Sequence, residues 1–290
     1  MKITRLPEVE HRVRNVAVGT FDGVHLGHRE VIKGADSVLT FDPHPTSVVA
    51  PAHTPKLLTS LSEKAELVAE LGVRELIVIP FDRDFAARKA QQFISEVLID
   101  ALGATRVSVG ENFRFGHKAQ GDTRLLQSAS GFATKVHPLL EIEGEIVSSS
   151  HIRGLVAAGE VDQAAHFLGA PFQLRGEVVQ GDQRGRELGF PTANLIPDET
   201  LICPGHGVYA CLANGRPAAV SIGVRPTFHT GRGELIEAYI IDFQGDLYGS
   251  ELRLDFLRRL RGERRFDSAE ALIEQMRLDV QQARQIAARE

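Results

Sequence analysis

The chain has 290 residues, a formal net charge of -5, and ordinary fractions of hydrophobic (43%) and charged (24%) residues. This length exceeds what one core usually supports, so we expect two globular domains rather than a disordered or membrane protein. The negative charge and the lack of a clustered basic face argue against nucleic acid as the main partner.

The cysteines and the N-terminus bear on the cellular compartment. Cys203 and Cys211 are too few for a disulfide framework and lack a zinc-binding spacing. The N-terminal residues lack the apolar segment of a signal peptide, and no stretch is long and apolar enough to span a bilayer. We therefore expect a cytoplasmic protein with no membrane partner, and we leave homo-oligomerisation open.

The first half of the chain alternates apolar, β-branched runs with helical patterns. Buried strands are predicted at residues 16–19, 37–41, 75–81 and 106–110. Helices are predicted at 60–72, where Ser60 and Glu63 form a capping box, and at 89–103, where the apolar face would carry Phe93, Val97 and Ala101. Strands that alternate with helices predict a doubly wound parallel sheet, an α/β fold.

After residue 169 the pattern changes to short strands bounded by glycine and proline. Strands are predicted at 173–179, 207–213, 218–223, 235–243 and 251–256, which indicates a small antiparallel β-barrel or sandwich. A C-terminal helix is predicted from 267 to about 288, with Asp267 and Glu270 as capping residues and an apolar stripe of Leu272, Ile273, Met276, Val280 and Ala283. We place the domain boundary near residue 170, which gives domains 1–170 and 171–290.

A glycine-rich turn, GTFDGVHLGH at 19–28, follows the first predicted strand of the chain, at 16–19. Such a turn between a parallel strand and a helix presents backbone N–H groups to an anion. His25 and His28 would project from one side of the helix start and contact the same phosphate. Gly27 between them would let a nucleotide approach the backbone. A ligand-free surface pair and a metal-binding pair are the alternative interpretations.

Three further motifs follow in order: FDPHP at 41–45, GENFRFG at 110–116 and SSSHIR at 148–153. With the turn at 19–28 they resemble the flavin-adenylylating branch of the nucleotidylyltransferase superfamily, in the order found in prokaryotic bifunctional riboflavin kinase/FAD synthetases. The resemblance implies that the N-terminal domain makes FAD from FMN and ATP, with His25 and His28 as catalytic residues. It implies that ATP is bound by Gly19, Phe21, Asp22, Gly23, Gly27, Ser149, Ser150 and Arg153.

The same resemblance implies a flavin side of this site. It places His44, Asn112, Phe113 and Arg114 there. Two phenylalanines that are separated by one residue, Phe113 and Phe115, are also typical of an ordinary strand core. His44 lies between two prolines, so a structural turn is an alternative to a ligand contact.

A second group of motifs lies in the C-terminal half. The segment 181–194, GDQRGRELGFPTAN, lacks the lysine pattern of a P-loop. Gly181, Gly185 and Gly189 would let a loop fold over the phosphates of ATP. Thr192 and Asn194 alternate along a predicted strand and offer the oxygen ligands that suit Mg²⁺. A glycine-rich hairpin with no ligand is the alternative.

Further motifs follow, GVY at 207–209, GVRPTF at 223–228 and DLYG at 246–249. Together with the segment 181–194 they resemble the riboflavin kinase domain, so the resemblance covers nearly the whole chain. It implies that Glu237 is the general base for riboflavin, that Thr192 also binds ATP, and that ATP and Mg²⁺ are required. The strand pattern places Glu237 and Tyr239 on one face, opposite Ile236 and Ala238.

One departure from the family concerns the residues between His28 and Phe41, which are fewer than the family pattern leads us to expect. The helix that begins near Leu26 must be short. We expect the segment between His28 and Ser37 either to be mobile and to become ordered when ATP binds, or to be truncated in the sequence shown. Two competing functions remain: a flavin- or nucleotide-responsive binding protein without turnover, and an adenylyltransferase for another phosphorylated vitamin.

Overall fold

The structure is a computed structural model that describes residues 1–181, 190–224 and 234–289. By its internal contacts the chain divides into two compact units, Met1–Ser149 and Ser150–Glu290. The helices α7 (Ser149–Ala158) and α8 (Val161–Leu168) precede the boundary that we predict near residue 170. α8 packs against strands of the second unit, so it belongs to that unit.

The first unit contains a six-stranded parallel sheet with helices. Its strands are β1 (Lys2–Arg5), β2 (Arg14–Val18), β3 (Ser37–Asp42), β4 (Glu75–Pro80), β5 (Ala104–Gly110) and β6 (Ala133–His137), in the order β1-β4-β3-β2-β5-β6. Its helices are α1 (Leu26–Ile32), α2 (Pro45–Val49), α3 (Leu61–Glu70), α4 (Arg83–Ala86), α5 (Ala90–Gln92) and α6 (Thr123–Ser128), and a short hairpin is formed by β7 (Glu141–Ile142) and β8 (Glu145–Ile146).

Both faces of this sheet are buried, as the prediction of a doubly wound fold requires. Val16 and Val18 of β2 belong to one hydrophobic cluster, whereas Ala17 between them belongs to another. Successive side chains of a strand point to opposite faces, so the two clusters lie on the two sides of the sheet. This confirms the predicted α/β class of the first unit.

The sheet has its topological switch point at β2, which pairs with β3 on one side and with β5 on the other. Ligands of open α/β sheets bind outside the carboxyl ends of the strands at this position. The turn at 19–28 follows β2, and the segment 110–116 follows β5. The fold therefore brings two of the predicted site segments to one place.

The helix predicted at 89–103 needs a correction. It begins as α5 but continues through wider π-helical turns over Phe93–Ala101. The changed spacing buries Phe93, Ile94, Val97 and Leu98, while Ala101 is only half-buried. The burial of Phe93 and Val97 confirms the predicted face at these two positions.

The second unit contains a closed barrel of antiparallel strands. The strands are β9 (Phe172–Val179), β10 (Ala193–Pro197), β11 (Gly207–Ala213), β12 (Arg216–Val224), β13 (Glu234–Ile240) and β14 (Glu251–Arg261), in the order β10-β13-β12-β11-β14-β9. Pairing of β9 with β10 closes the barrel. A closed barrel is thus confirmed over a sandwich.

The C-terminal helix α9 (Ala269–Ala287) packs on β11, β12 and β14. Its cap differs from the prediction, because the hydroxyl of Ser268 rather than Asp267 accepts a hydrogen bond from the N–H of Ala271, at 3.2 Å. The extended backbone of Ser268 makes it the N-cap, so the helix begins one residue later than Asp267 would require.

Candidate nucleotide and flavin sites

The two histidines of the glycine-rich turn form a stacked pair at the start of α1. His25 is the N-cap of this helix, and its Nδ1 accepts a hydrogen bond from the N–H of His28 at 3.2 Å. The two rings stack with their centroids 3.5 Å apart, and Phe21 contacts His28 edge-on at 5.3 Å. Because Nδ1 of His25 is an acceptor, the neutral form of this ring carries its proton on Nε2.

His28 is held in its neutral form. Burial lowers the pKa of His28 well below its ordinary value of 6.5, and the nearby charges of His25 and Lys64 lower that pKa further. Nδ1 of His28 is buried and has no hydrogen-bond partner among the described residues. A neutral imidazole still has one N–H, which suits a hydrogen bond to a phosphate oxygen.

Asp22 shapes the turn rather than only facing it. Its side chain is 2% exposed, and Oδ1 accepts hydrogen bonds from the N–H groups of Leu58 at 2.9 Å and Thr59 at 3.3 Å. The N–H of Gly23 donates to Oγ1 of Thr59 at 3.1 Å. Gly23 has a left-handed φ of 82°, which glycine adopts without strain. The turn is thereby fastened to the segment before α3.

Two other glycines of the turn leave little room for a side chain. A Cβ at Gly19 would lie 3.0 Å from the ring of Phe21, and a Cβ at Gly27 would lie 3.3 Å from the ring of His25. Such contacts are tighter than ordinary van der Waals packing. Gly27 therefore leaves room for the ring of His25, in addition to any approach of a nucleotide.

The serines of the third motif begin α7. The hydroxyl of Ser149 donates a hydrogen bond to the backbone carbonyl of Asp22 at 2.9 Å, which joins it to the glycine-rich turn. Ser150 and Arg153 lie in the second unit, where Nη2 of Arg153 donates to Oγ of Ser150 at 3.1 Å. Their binding of ATP stays a prediction.

The residues predicted on the flavin side follow β3 and β5. His44 is the N-cap of α2, where its Nδ1 accepts from the N–H of Thr46 at 3.2 Å. Asn112 and Arg114 are exposed, and Phe113 is half-buried and stacks on the buried Phe115 with centroids 5.6 Å apart. His44 therefore has a structural role as the cap of α2, and Phe115 belongs to the hydrophobic core.

Lys64 lies near His28 and Asp22 of the glycine-rich turn and was not among the predicted site residues. It is in the first turn of α3 and is 7% exposed. Burial lowers the pKa of Lys64, whereas the carboxylates of Asp22 and Asp42 raise it. A lysine on an amphipathic helix is usually solvated, so the sequence pattern contains no signal that could have identified it.

The barrel brings two predicted kinase residues into register. Asn194 of β10 lies directly opposite Glu237 of β13. Ile236 and Ala238 are buried, whereas Glu237 and Tyr239 are half-buried on the other face of β13, as predicted. Direct cross-strand partners share a face of the barrel wall, so Asn194 and Glu237 lie side by side.

Gly181 packs against the amide of Asn194, and a Cβ at this position would collide with the amide. Gly185 and Gly189 lie outside the described residues, as does most of the motif at 223–228.

Among the described residues no group of three His, Cys, Asp or Glu side chains could hold a metal. The hydroxyl and amide oxygens of Thr192 and Asn194 nevertheless fit Mg²⁺, which binds a few protein oxygens and keeps water and phosphate as its other ligands.

These features define an α/β unit of the nucleotide-binding type, followed by a barrel whose candidate site contains the carboxylate of Glu237. Residues 8–151 match the FAD synthetase family, and residues 168–287 match the riboflavin kinase family. A bifunctional riboflavin kinase/FMN adenylyltransferase of Listeria monocytogenes is 37% identical over 286 residues, which cover 93% of this chain and 91% of the relative. One of Bacillus subtilis is 35% identical over 309 residues, which cover 98% and 97%. The chain therefore belongs to the bifunctional riboflavin kinase/FMN adenylyltransferase family.

A solved structure also matches nearly the whole chain. It is named as a macrolide-efflux protein from Streptococcus pneumoniae, and it matches with a TM-score of 0.89, 29% identity, and coverage of 98% of this chain and 99% of that one. Within the described ranges, none of the helices has the length and apolar character needed to cross a membrane.

Proposed function

We propose that this chain carries out both reactions of its family: phosphorylation of riboflavin by ATP in the barrel, and adenylylation of FMN in the α/β unit. The observation that carries the proposal is that each unit arranges its own reactive residues. His25 and His28 stack at the switch point of the sheet, and Asn194 lies opposite Glu237 in the barrel. A protein that only bound flavin would need no candidate base.

Adenylyl transfer requires no covalent bond to the protein. An oxygen of the FMN phosphate attacks the α-phosphorus of ATP, the bond to the bridging oxygen breaks, and pyrophosphate leaves. Negative charge increases on the phosphate oxygens, so oriented donors stabilise the transition state. We assign this role to the N–H groups of His25 and His28. Ser149, Ser150 and Arg153 bind the outer phosphates in this proposal.

The flavin of FMN binds beside these phosphates. Phe113 offers the exposed part of an aromatic face, and Asn112 offers an amide that both donates and accepts hydrogen bonds. Arg114 and His44 complete this side of the proposed site. The support for this proposal is that β5, which leads into Asn112, pairs with β2, which leads into the histidine turn.

Riboflavin phosphorylation is assigned to the barrel. Glu237 accepts the proton of the terminal ribityl hydroxyl, whose oxygen then attacks the γ-phosphorus while ADP leaves. When bound by Thr192 and Asn194, Mg²⁺ would offset the negative charge of the ATP phosphates. Gly181, Gly185 and Gly189 are proposed to let the loop cover those phosphates.

We also propose a cytoplasmic location. Cys203 and Cys211 are both unpaired, which fits a reducing compartment. Riboflavin, FMN and ATP are the partners that this proposal requires.

The direct test is incubation of the purified protein with riboflavin, ATP and Mg²⁺, followed by chromatographic separation of the flavins. We expect FMN to form first and FAD to follow, and supplied FMN to give FAD. Bound flavin without conversion would favour the binding-protein alternative. A parallel reaction with nicotinamide mononucleotide in place of FMN tests the other adenylyltransferase, and preferential formation of its dinucleotide would contradict the assignment.

A further inference from the structure

A buried lysine lies beside the adenylyltransfer site and has no role in the reaction described so far. The N–H of Lys64 donates to the carbonyl of Ser60 at 3.0 Å, so Lys64 lies within the first turn of α3. Its side chain is 7% exposed. Removal of an ammonium group from water is costly unless opposite charges compensate for it. The position of Lys64 therefore requires acidic neighbours.

The backbone geometry explains how those neighbours reach Lys64. The N–H groups of Leu58 and Thr59, just before α3, donate to the carboxylate of Asp22. Lys64 is about one helical turn beyond Ser60, so this attachment places its side chain against the glycine-rich turn. Asp42 is the last residue of the neighbouring strand β3. This strand is joined to the glycine-rich turn, because the hydroxyl of Thr40 donates a hydrogen bond to the carbonyl of Thr20 at 3.1 Å.

The charges around Lys64 and His28 form one group. Asp22 from the turn and Asp42 from β3 face Lys64 and raise its pKa against the larger effect of burial. His28 is faced by His25 on its own helix, by Lys64 from α3 and by the ring of Phe21. Without Lys64, the carboxylates of Asp22 and Asp42 would lose a neighbouring positive charge beside the place proposed for the polyphosphate of ATP.

We propose that Lys64 is a positioning residue of the adenylyltransfer site. Its ammonium neutralises Asp22 and Asp42, which holds the glycine-rich turn in the shape that receives the phosphates, and its charge helps to keep His28 a neutral hydrogen-bond donor. The inference rests on the proposed adenylyltransfer site, and it assigns Lys64 no contact with the substrate.

The test combines charge removal with a direct titration of His28. Lys64→Gln and Lys64→Met remove the charge, Lys64→Arg keeps it, and Lys33→Met is the matched control because Lys33 at the end of α1 is 75% exposed. The ring proton of His28 is followed by NMR across pH in the full chain without substrate. We expect the pKa of His28 to rise toward its ordinary value in the Gln and Met variants and to stay unchanged in the other two.

The two activities supply the second measurement. FAD formation should fall by up to about 100-fold in the Gln and Met variants, as expected when reacting groups are misplaced, with a higher KM for ATP. Riboflavin phosphorylation in the same chain should be unchanged, which shows that the protein is folded. If Lys64→Met does not fold, Lys64→Gln decides.

An unchanged titration of His28, or unchanged FAD formation, in a folded Lys64→Gln protein would overturn the inference. Failure of the proposed function is distinguishable, because it appears as absence of FAD formation in the unmodified protein. The titration of His28 requires no substrate and would still decide whether Lys64 acts on this residue.

Discussion

We assign a different role to each ring nitrogen of His25. Nδ1 accepts a hydrogen bond from the N–H of His28 and so caps α1, while Nε2–H of the neutral ring is the donor that we propose for a phosphate oxygen. The helix cap therefore fixes the tautomer of the residue that we assign to catalysis. A substitution of His25 would remove both functions, so His28 is the better position for a test of catalysis.

We expect His28→Ala to stop FAD formation and to make FMN accumulate from riboflavin. Removal of one donor to a developing phosphate charge commonly costs about 10²–10³-fold in rate. Chromatography of the flavins measures both steps in one reaction. His53→Ala, an exposed histidine of the same unit, is the control. Loss of both activities in His28→Ala would contradict separate sites.

Glu237→Gln should have the reciprocal effect. The amide cannot accept the proton of the ribityl hydroxyl, so FMN formation should fall by about 10²–10⁴-fold, the usual contribution of a general base. Conversion of supplied FMN to FAD should persist. Glu234→Gln on the same strand is the matched control, since Glu234 is exposed and contacts His206 at 3.0 Å. A near-normal kinase rate in Glu237→Gln would show that Glu237 is not the base.

At the scale of elements, α1 is as short as the spacing between His28 and the next strand predicts. It has seven residues and buries only Val31 and Ile32. Few buried side chains mean a low local stability, so we expect the helix to open readily in the free protein. Bound ATP would add contacts near the start of α1 and favour the folded helix.

Amide hydrogen exchange with and without ATP and Mg²⁺ measures this effect. Residues 31–36 should exchange quickly in the free protein and become protected when ATP is bound. The capped helix α3 serves as the internal control, because its capping box is complete without a ligand. Strong protection of 31–36 in the free protein would show that the segment is already ordered.

The elements that the sequence predicts correctly are those with a strong local pattern. The buried strands β2 to β5 and the closely spaced turn at 19–28 are of this kind, because their residues follow one another in the chain. The edge strands β1 and β6 were missed, since their residues are partly exposed and lack a continuous apolar run. Ser268 was missed as a cap because Asp267 next to it suits the same position.

The parts of the site that the sequence did not predict depend on tertiary contacts. Asp22 is bound by the N–H groups of Leu58 and Thr59, which lie far along the chain and have no motif. Lys64 is buried on a helix that follows this contact with the turn. The spacing of residues within one motif can predict a shared role, but it contains no information about which distant segment completes the site.

At the scale of the whole molecule, three ionisable groups of the first unit lower the stability of the folded protein as the pH falls. Burial and neighbouring positive charges lower the pKa of His28 and His137 below 6.5. Burial opposes the charge of Glu75, but hydrogen bonds from Arg14 at 3.1 Å and Arg12 at 2.7 Å outweigh it and lower its pKa below 4.5. In each case the unfolded chain binds the proton more readily than the folded chain.

The sign of the pH dependence follows from this difference. The contribution of His28 and His137 is fully present above about pH 6.5 and is lost as pH falls through their folded pKa values, and that of Glu75 is lost below its ordinary value. We expect the Tm of the protein to decrease between pH 7.5 and pH 5.5, as measured by circular dichroism. His137→Gln, which has no titrating ring, should reduce this decrease, and a Tm that rises in acid would contradict the argument.

Closure of the barrel affects how partly unfolded molecules would associate. Each of the barrel strands β9 to β14 has two paired neighbours, so in the described part of the barrel no backbone edge is open for a strand of another molecule to add. The sheet of the first unit ends at β1, with four residues, and at β6, with five. Short edges limit strand addition but do not prevent it once covering segments detach. Aggregation should therefore begin at the sheet of the first unit, and FAD formation should be lost to it before FMN formation.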